Sequence, residues 1–225
     1  MTSAELVELI SFACEKWKET SDTCSMLDNA LGDGDHGVSI YTGTQAVLTK
    51  IGDYKDGRPA DVLKNVARDF LSAVGASIGP LYATGLIRMA QTVNNREQLE
   101  LEDVPVLFSA FVNGLSDRGK ARIGEKTMMD VWLPALSAFQ ASVQGDKPLA
   151  KEALLKGCEE AIRAGNAGLL ATKDMVAAKG RASRLGNRSV GFIDPGAYSA
   201  LQLLRFVMER CSGSNFAGMM VELDA

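Results

Sequence analysis

Val62-Leu-Lys-Asn-Val-Ala-Arg-Asp-Phe-Leu-Ser-Ala-Val74 places apolar residues at positions 62, 63, 66, 67, 70, 71 and 74, with polar or charged residues on most of the positions between. Steps of three and four keep one stripe of a 3.6-residue helix apolar, whereas a half-buried strand would alternate every second residue. The same stripe recurs on either side of this stretch. Leu6, Leu9, Ile10, Ala13, Cys14 and Trp17 carry it toward the N-terminus. Toward the C-terminus it returns in Val104, Leu107, Phe108, Phe111, Val112 and Leu115, then in Val131, Trp132, Ala135, Leu136 and Phe139. Two further stripes follow, Leu154, Cys158, Ala161 and Ile162, then Tyr198, Leu201, Leu204, Val207, Met208 and Cys211. No convincing period-2 run accompanies them. Breaks at 52–59, 145–148 and 180–196, which carry glycine and proline, and at the polar stretch 94–100 divide the pattern into about eight or nine helices. An all-α chain is expected, and its aromatic and methionine positions on the stripes read as core packing.

The 225 residues are 46% hydrophobic and 23% charged, enough for one well-packed domain over residues 1–225. Lys plus Arg number 24 against 28 Asp plus Glu, so the net charge of -4 lacks the basic footprint of a nucleic-acid binder. Cys14, Cys24, Cys158 and Cys211 form no C-x-x-C pair, and three of them fall on apolar helical positions, as buried reduced thiols do. No run approaches the roughly 20 apolar residues of a membrane span, and the N-terminus lacks a signal-peptide core. A soluble cytoplasmic protein with neither nucleic-acid nor membrane partner is expected.

The densest chemistry lies in Leu31-Gly-Asp-Gly-Asp-His-Gly37, preceded by Asp28. A helix ending near Leu31 would turn Asp28 back toward Asp33 and Asp35, bringing three hard oxygen donors together. Mg2+ suits such an incomplete oxygen set, because it completes its shell with water and substrate phosphate. Free amides at the start of the helix after His36 would cradle the phosphate. The competing reading is an acidic surface turn whose glycines supply positive φ angles. An EF-hand is excluded, since the twelfth position counted from Asp33 is Thr44 and not glutamate.

Three other loops bear on the same chemistry. The segment 179–196 carries Arg181, Arg184 and Arg188 among four glycines, which suits either a flap over phosphates or a solvated basic loop. At its end, Asp194 reads as a helix N-cap and Pro195 as a first helical residue, so this helix N-terminus is also aimed. Val74-Gly-Ala-Ser-Ile-Gly-Pro80 breaks one helix and opens another, offering Ser77 to an anion or forming a plain interhelical turn. Residues 118–130 join two stripes with four cations and two glycines, which could balance charge on a transferring phosphoryl group. The Walker sequence is absent here, since Glu125 stands at its lysine position. The tail after Ser212, with Phe216, Met219, Met220 and Val221, suggests packing against the rest of the chain or a partner.

Taken in order, Leu27-Asp28, Gly32-Asp-Gly-Asp-His-Gly37, Gly79-Pro-Leu-Tyr82, Gly124-Glu-Lys-Thr-Met128 with Asp130, Lys179-Gly-Arg-Ala-Ser183 and Asp194-Pro-Gly196 resemble the L subunit, or nucleotide-binding domain, of dihydroxyacetone kinases. The resemblance covers nearly the whole chain. It implies a barrel of about eight antiparallel amphipathic helices with ADP or ATP and two Mg2+ ions at one end. It implies Asp28, Asp33 and Asp35 as metal ligands and His36, Gly37, Val38 and Ser39 as phosphate-facing residues. Ser77 and Ile78 would meet the phosphates, Gly119 and Met128 the adenosine, with Thr127 in the same nucleotide-binding set. Arg181 with Asp194, Pro195 and Gly196 would close the far loop, Arg181 also stabilising the transferring group. Against the family pattern, the turn at 75–79 loses a glycine and gains Ile78, Glu125 replaces an aspartate, and Phe192 stands where histidine is common.

The activity implied is phosphoryl transfer from bound nucleotide to dihydroxyacetone or a related short ketose. In the resembling family the ketose is held covalently by a histidine of a separate K subunit; the sole histidine here, His36, already lies in the acidic loop, so half of an enzyme is expected. The donor could be free ATP or a phosphotransferase-system phosphocarrier protein that recharges bound ADP. The alternative is a non-catalytic nucleotide-dependent sensor docking on a transcription regulator, and a homodimer is compatible with either.

Overall fold

The computed structural model describes residues 1–75, 77–145 and 148–220, and among these it contains nine α-helices and no strand. The helices are α1 Ser3–Lys16, α2 Ser21–Leu31, α3 His36–Leu48, α4 Pro59–Ala73, α5 Ile78–Thr92, α6 Asp103–Gly119, α7 Met129–Val143, α8 Lys151–Ala171 and α9 Pro195–Ser212. Each apolar stripe read from the sequence falls on one of them, with Trp17 and Val74 just past the ends of α1 and α4. Short 3-10 turns fill several of the connections.

The chain forms two compact units. The first comprises Met1–Thr23 and Asp35–Lys120, the second Cys24–Gly34 and the residues from Ala121 onward. In the first, α4 packs on α3 and α5, α5 on α6, and α1 on α3. Phe70, Tyr82 and Phe111 join α4, α5 and α6 through ring pairs whose centroids are 6.0 Å apart, as aromatic packing favours. Thr2 caps α1, accepting the Glu5 N–H while the Glu5 carboxylate accepts the Thr2 N–H.

In the second unit α8 packs on α7 and α9. Phe139, Ile162, Leu201 and Leu204 are buried there, each worth about 1.5–3 kcal/mol of transfer free energy. Pro134 lies inside α7 and has no N–H, so the Asp130 carbonyl four residues earlier loses its helical donor. Beside that carbonyl α8 passes so close that a Cβ on Gly168 would strike it, so only glycine fits. The tail returns onto this unit: Phe216 is buried, and the Met219 carbonyl accepts the Asn166 amide at 2.9 Å. Val221, part of the tail expectation, lies outside the described residues.

Cys14, Cys24 and Cys158 are buried and Cys211 is half-buried, all free. Burial pushes the Cys14 and Cys158 thiols up to about 12 and Cys211 to about 11, so they stay protonated and inert. No helix among the described residues is long and apolar enough to cross a membrane.

Candidate functional site

The acidic loop assembles as its spacing suggests. Asp28 lies in the last turn of α2, where a carboxylate faces the negative end of the helix dipole and gains from a nearby cation. The helix closes on a Gly32 N–H to Asp28 carbonyl bond, and a Cβ on Gly32 would collide with the Asp28 carboxylate. Gly34 has φ +76, and a Cβ there would collide with the Asn29 side chain. Gly34 is favoured by its left-handed backbone, and at both glycines a side chain would displace the Asp28 or Asn29 head group. Asp35 occupies the N-cap of α3, yet its carboxylate makes no capping bond. One oxygen each of Asp28, Asp33 and Asp35 lies within 4.8 Å of the others; Asp28 is buried and the other two are exposed.

Three such oxygens on a short segment form a hard-donor set with exposed sides, which fits Mg2+ better than a closed site would. Immediately after them α3 begins, and its first amides, at His36, Gly37 and Val38, precede the Ser39 N–H that bonds the Asp35 carbonyl. First-turn amides of this kind have no intrahelical acceptor, so they favour an anion. Gly37 is buried, and its carbonyl accepts the Trp17 indole N–H at 3.2 Å, which fixes the helix start. Val38 is 58% exposed, His36 and Ser39 half-buried.

Arg181 pairs with Asp33. Residues Arg181–Ser189, expected as loop, form 3-10 turns kinked at Gly186. Their seating explains the pairing: Ala182 and Ala177 pack on Leu31, with Leu185 against them, so Arg181 is delivered beside the loop that Leu31 begins. The Ser189 hydroxyl accepts the Ala177 N–H and donates to the Gly186 carbonyl. Apolar seating under two alanines left no periodic signal in the sequence.

Asp194, Pro195 and Gly196 behave as expected of a capped helix start. The Asp194 carboxylate accepts the Ala197 N–H at 2.8 Å, and Pro195 opens α9. The Cys24 thiol donates to the Pro195 carbonyl at 3.7 Å, tying α2 to this turn. A Cβ on Gly196 would stand 3.7 Å from the Met128 amide nitrogen, so the Asp194-Pro-Gly196 turn and Met128 are neighbours. Burial pushes the Asp194 carboxyl up to about 7, although the N–H groups of Ala197 and Gly196 and the Lys126 charge pull it down. Met128 is buried at the N-cap of α7, and the Thr127 hydroxyl accepts the Met129 N–H. Gly119 ends α6, Ser77 is the N-cap of α5 and Ile78 its first residue; Ala76, in the altered turn, lies outside the described residues.

Sequence reasoning missed the interior of the 118–130 segment. Lys126, read as one of its phosphate-balancing cations, is instead buried, with φ +59. Its ammonium donates to the Thr172 and Phe192 carbonyls at 2.5 Å each. Burial lowers its pKa, opposed by Asp194, Asp174 and Asp130. Asp130 is likewise buried, accepting N–H bonds from Gly124 at 2.5 Å and Thr127 at 2.7 Å.

Among the described residues, an all-helical scaffold brings together three carboxylates, a helix N-terminus after them and an arginine paired to one, a set whose chemistry suits a cation with an anionic ligand. Residues 30–209 match the model of the DAK2 domain, and the chain belongs to that family. It is 34% identical over 209 residues to the ADP-binding subunit DhaL of the PEP-dependent dihydroxyacetone kinase of Escherichia coli K12, covering 92% of this chain and 96% of that one. It is 36% identical over 209 residues to the ADP-binding subunit DhaL of the PTS-dependent kinase of Lactococcus lactis, covering 93% and 98%. The dihydroxyacetone kinase of C. freundii has the same fold, with a TM-score of 0.64 and 18% identity over 93% of this chain and 34% of that longer one.

Proposed function

We propose that this chain is the ADP- and Mg2+-binding subunit of a dihydroxyacetone kinase, a single L-type nucleotide-binding domain over residues 1–225. The convergence of Asp28, Asp33 and Asp35 beside the start of α3 carries this reading. It is supported by the relatives, which are named ADP-binding subunits of PEP- or PTS-dependent kinases. A structure of the C. freundii enzyme in complex with AMP-PNP and Mg2+ shares the fold at a TM-score of 0.63.

In this mechanism Asp28, Asp33 and Asp35 hold Mg2+, as two ions in the full reading. The bound metal supplies charge neutralisation on the phosphates and orients them. The amides of His36, Gly37 and Val38 receive phosphate oxygens along the axis of α3, with Ser39 beside them. Arg181, the partner of Asp33, stabilises charge on the transferring group, where a planar guanidinium offers paired donors. By the family resemblance, Gly119 and Met128, with Thr127, face the adenosine, Ser77 and Ile78 meet the phosphates, and Asp194, Pro195 and Gly196 belong with Arg181 to the loop that closes over the nucleotide.

By the resemblance to dihydroxyacetone kinases, the acceptor ketose is presented by a separate K subunit, and the position of this sequence's sole histidine, His36, in the acidic loop agrees with that. Because the similar subunits are PEP- or PTS-dependent, ADP stays bound here and a phosphocarrier protein recharges it. The test is to purify the protein and identify its bound nucleotide by mass spectrometry before and after EDTA, following thermal stability. Co-purifying ADP released by chelation, with a fall in melting temperature, supports the reading. An empty protein that gains no stability from Mg2+ with ADP or ATP overturns it. Turnover with PEP and phosphocarrier proteins, but not with ATP alone, identifies the donor.

A further inference from the structure

A buried lysine is an expensive choice, since an ammonium loses its hydration on burial. A methionine would fill the same space without that loss. What Lys126 does that an apolar residue cannot is join two main-chain carbonyls distant in sequence, those of Thr172 and Phe192, 46 and 66 residues away. These two carbonyls are the ends of one loop. Between them lie the Gly191 N–H to Lys173 carbonyl bond and the Ser189 hydroxyl that accepts the Ala177 N–H. Within the same span, Ala177, Ala182 and Leu185 pack with Leu31. The loop is also stitched to the Lys126 segment itself, since the Ala178 N–H donates to the Glu125 carbonyl at 3.1 Å. At the crest of this span sits Arg181, paired with Asp33.

We propose that Lys126 is a positioning residue: its ammonium closes the base of loop 172–192 and so holds Arg181 at the acidic loop. Pinning both ends of the span from Thr172 to Phe192 removes much of its freedom to open, which is the cost that ordering any loop must meet. The positive φ of Lys126 and its burial turn its stem inward to reach both carbonyls. The consequence for phosphoryl transfer rests on the kinase reading above; the clamp itself does not.

The experiment compares Lys126→Met with Phe139→Leu, a core change in α7 selected for a similar loss of melting temperature. Trypsin is applied well below both transitions, and cleavage at Lys179, Arg181, Arg184 and Arg188 is timed. Lys126→Met is expected to speed cleavage there by roughly tenfold while Phe139→Leu does not, because only the first releases the loop locally. Equal acceleration by both overturns the clamp. Affinity for ADP with Mg2+ is then measured for Lys126→Met, Arg181→Ala and the double variant. Each single change is expected to weaken binding and the double to weaken it no further than Arg181→Ala alone, whereas additive losses overturn the link to Arg181. If none of the proteins binds ADP with Mg2+, the kinase reading falls and the cleavage result still decides the clamp. Should Lys126→Met not fold, hydrogen exchange on the unaltered protein decides: a Gly191 amide protected to the level of α9 supports the clamp, and one exchanging as a free loop overturns it.

Discussion

Two groups of three aspartates show opposite uses of the same side chain. Asp130, Asp174 and Asp194 act on the buried Lys126, and the two that are themselves buried are bonded to local amides: Asp130 to Gly124 and Thr127, Asp194 to Ala197. Asp28, Asp33 and Asp35 crowd their oxygens within 4.8 Å on a glycine-built turn, two of them exposed, with Arg181 reaching in from a separate loop. The first group meets a cation in the protein interior, and its two buried members meet local donors there as well. The second concentrates negative charge on a largely exposed turn, a self-repulsion that an outside cation would offset.

The sharpest way to break this contrast is to neutralise one member of each group. Asp33→Asn is expected to lower kinase turnover on the order of 100-fold or more, since a lost metal ligand costs at least what loss of an outer-shell partner does. Its melting temperature in EDTA should hold or rise as repulsion is relieved; a large fall would assign Asp33 to the scaffold. Asp130→Asn should do the reverse at the level of folding, costing about 2–4 kcal/mol in denaturant unfolding because buried donors face an amide group. A stable Asp130→Asn protein would undo the distinction.

Titration sharpens the comparison further. Asp194 is pushed from its ordinary 3.8 to about 7 by burial, so between these values the folded chain holds a proton that the unfolded chain releases. The contribution is fully present below about pH 4 and is lost as pH rises through about 7, by up to about 4 kcal/mol from the size of the shift. Thermal melts across that window should show a slope that Asp194→Asn flattens; an unchanged slope would place the titration elsewhere. Smaller still, Gly168→Ala should cost about 1–3 kcal/mol by forcing α8 away from the Asp130 carbonyl, read as a lower denaturation midpoint. No change there would mean that α8 can shift without disturbing Asp130.

What the sequence made legible was local. The stripe over 62–74 and its repeats marked helices because burial of one face follows directly from spacing along the chain, and α2 and α3 were implied by the glycine-rich turn between them. Asp28, Asp33 and Asp35 converge for the same reason, being held by the end of one helix and the start of the next. Lys126 was illegible because its partners stand 46 and 66 residues away and are carbonyls, which every residue type supplies. The ordering of Arg181–Ser189 was hidden likewise, since Ala177, Ala182 and Leu31 acquire meaning only once brought together. A lysine shortly after Gly124 and just ahead of Met128 and Met129 was the faint available sign.

The discontinuity of the second unit has a consequence for synthesis. Its first strand of chain, Cys24–Gly34, carries Asp28 and Asp33, but its companions begin only at Ala121 and include the Pro195 carbonyl that receives Cys24 and the alanines that seat Leu31. A ribosome must therefore add well over a hundred residues after the acidic turn before that turn has its native support. On the nucleotide-binding reading, nascent chains stalled short of α9 should be unable to retain the ligand, which makes its capture a late step of folding.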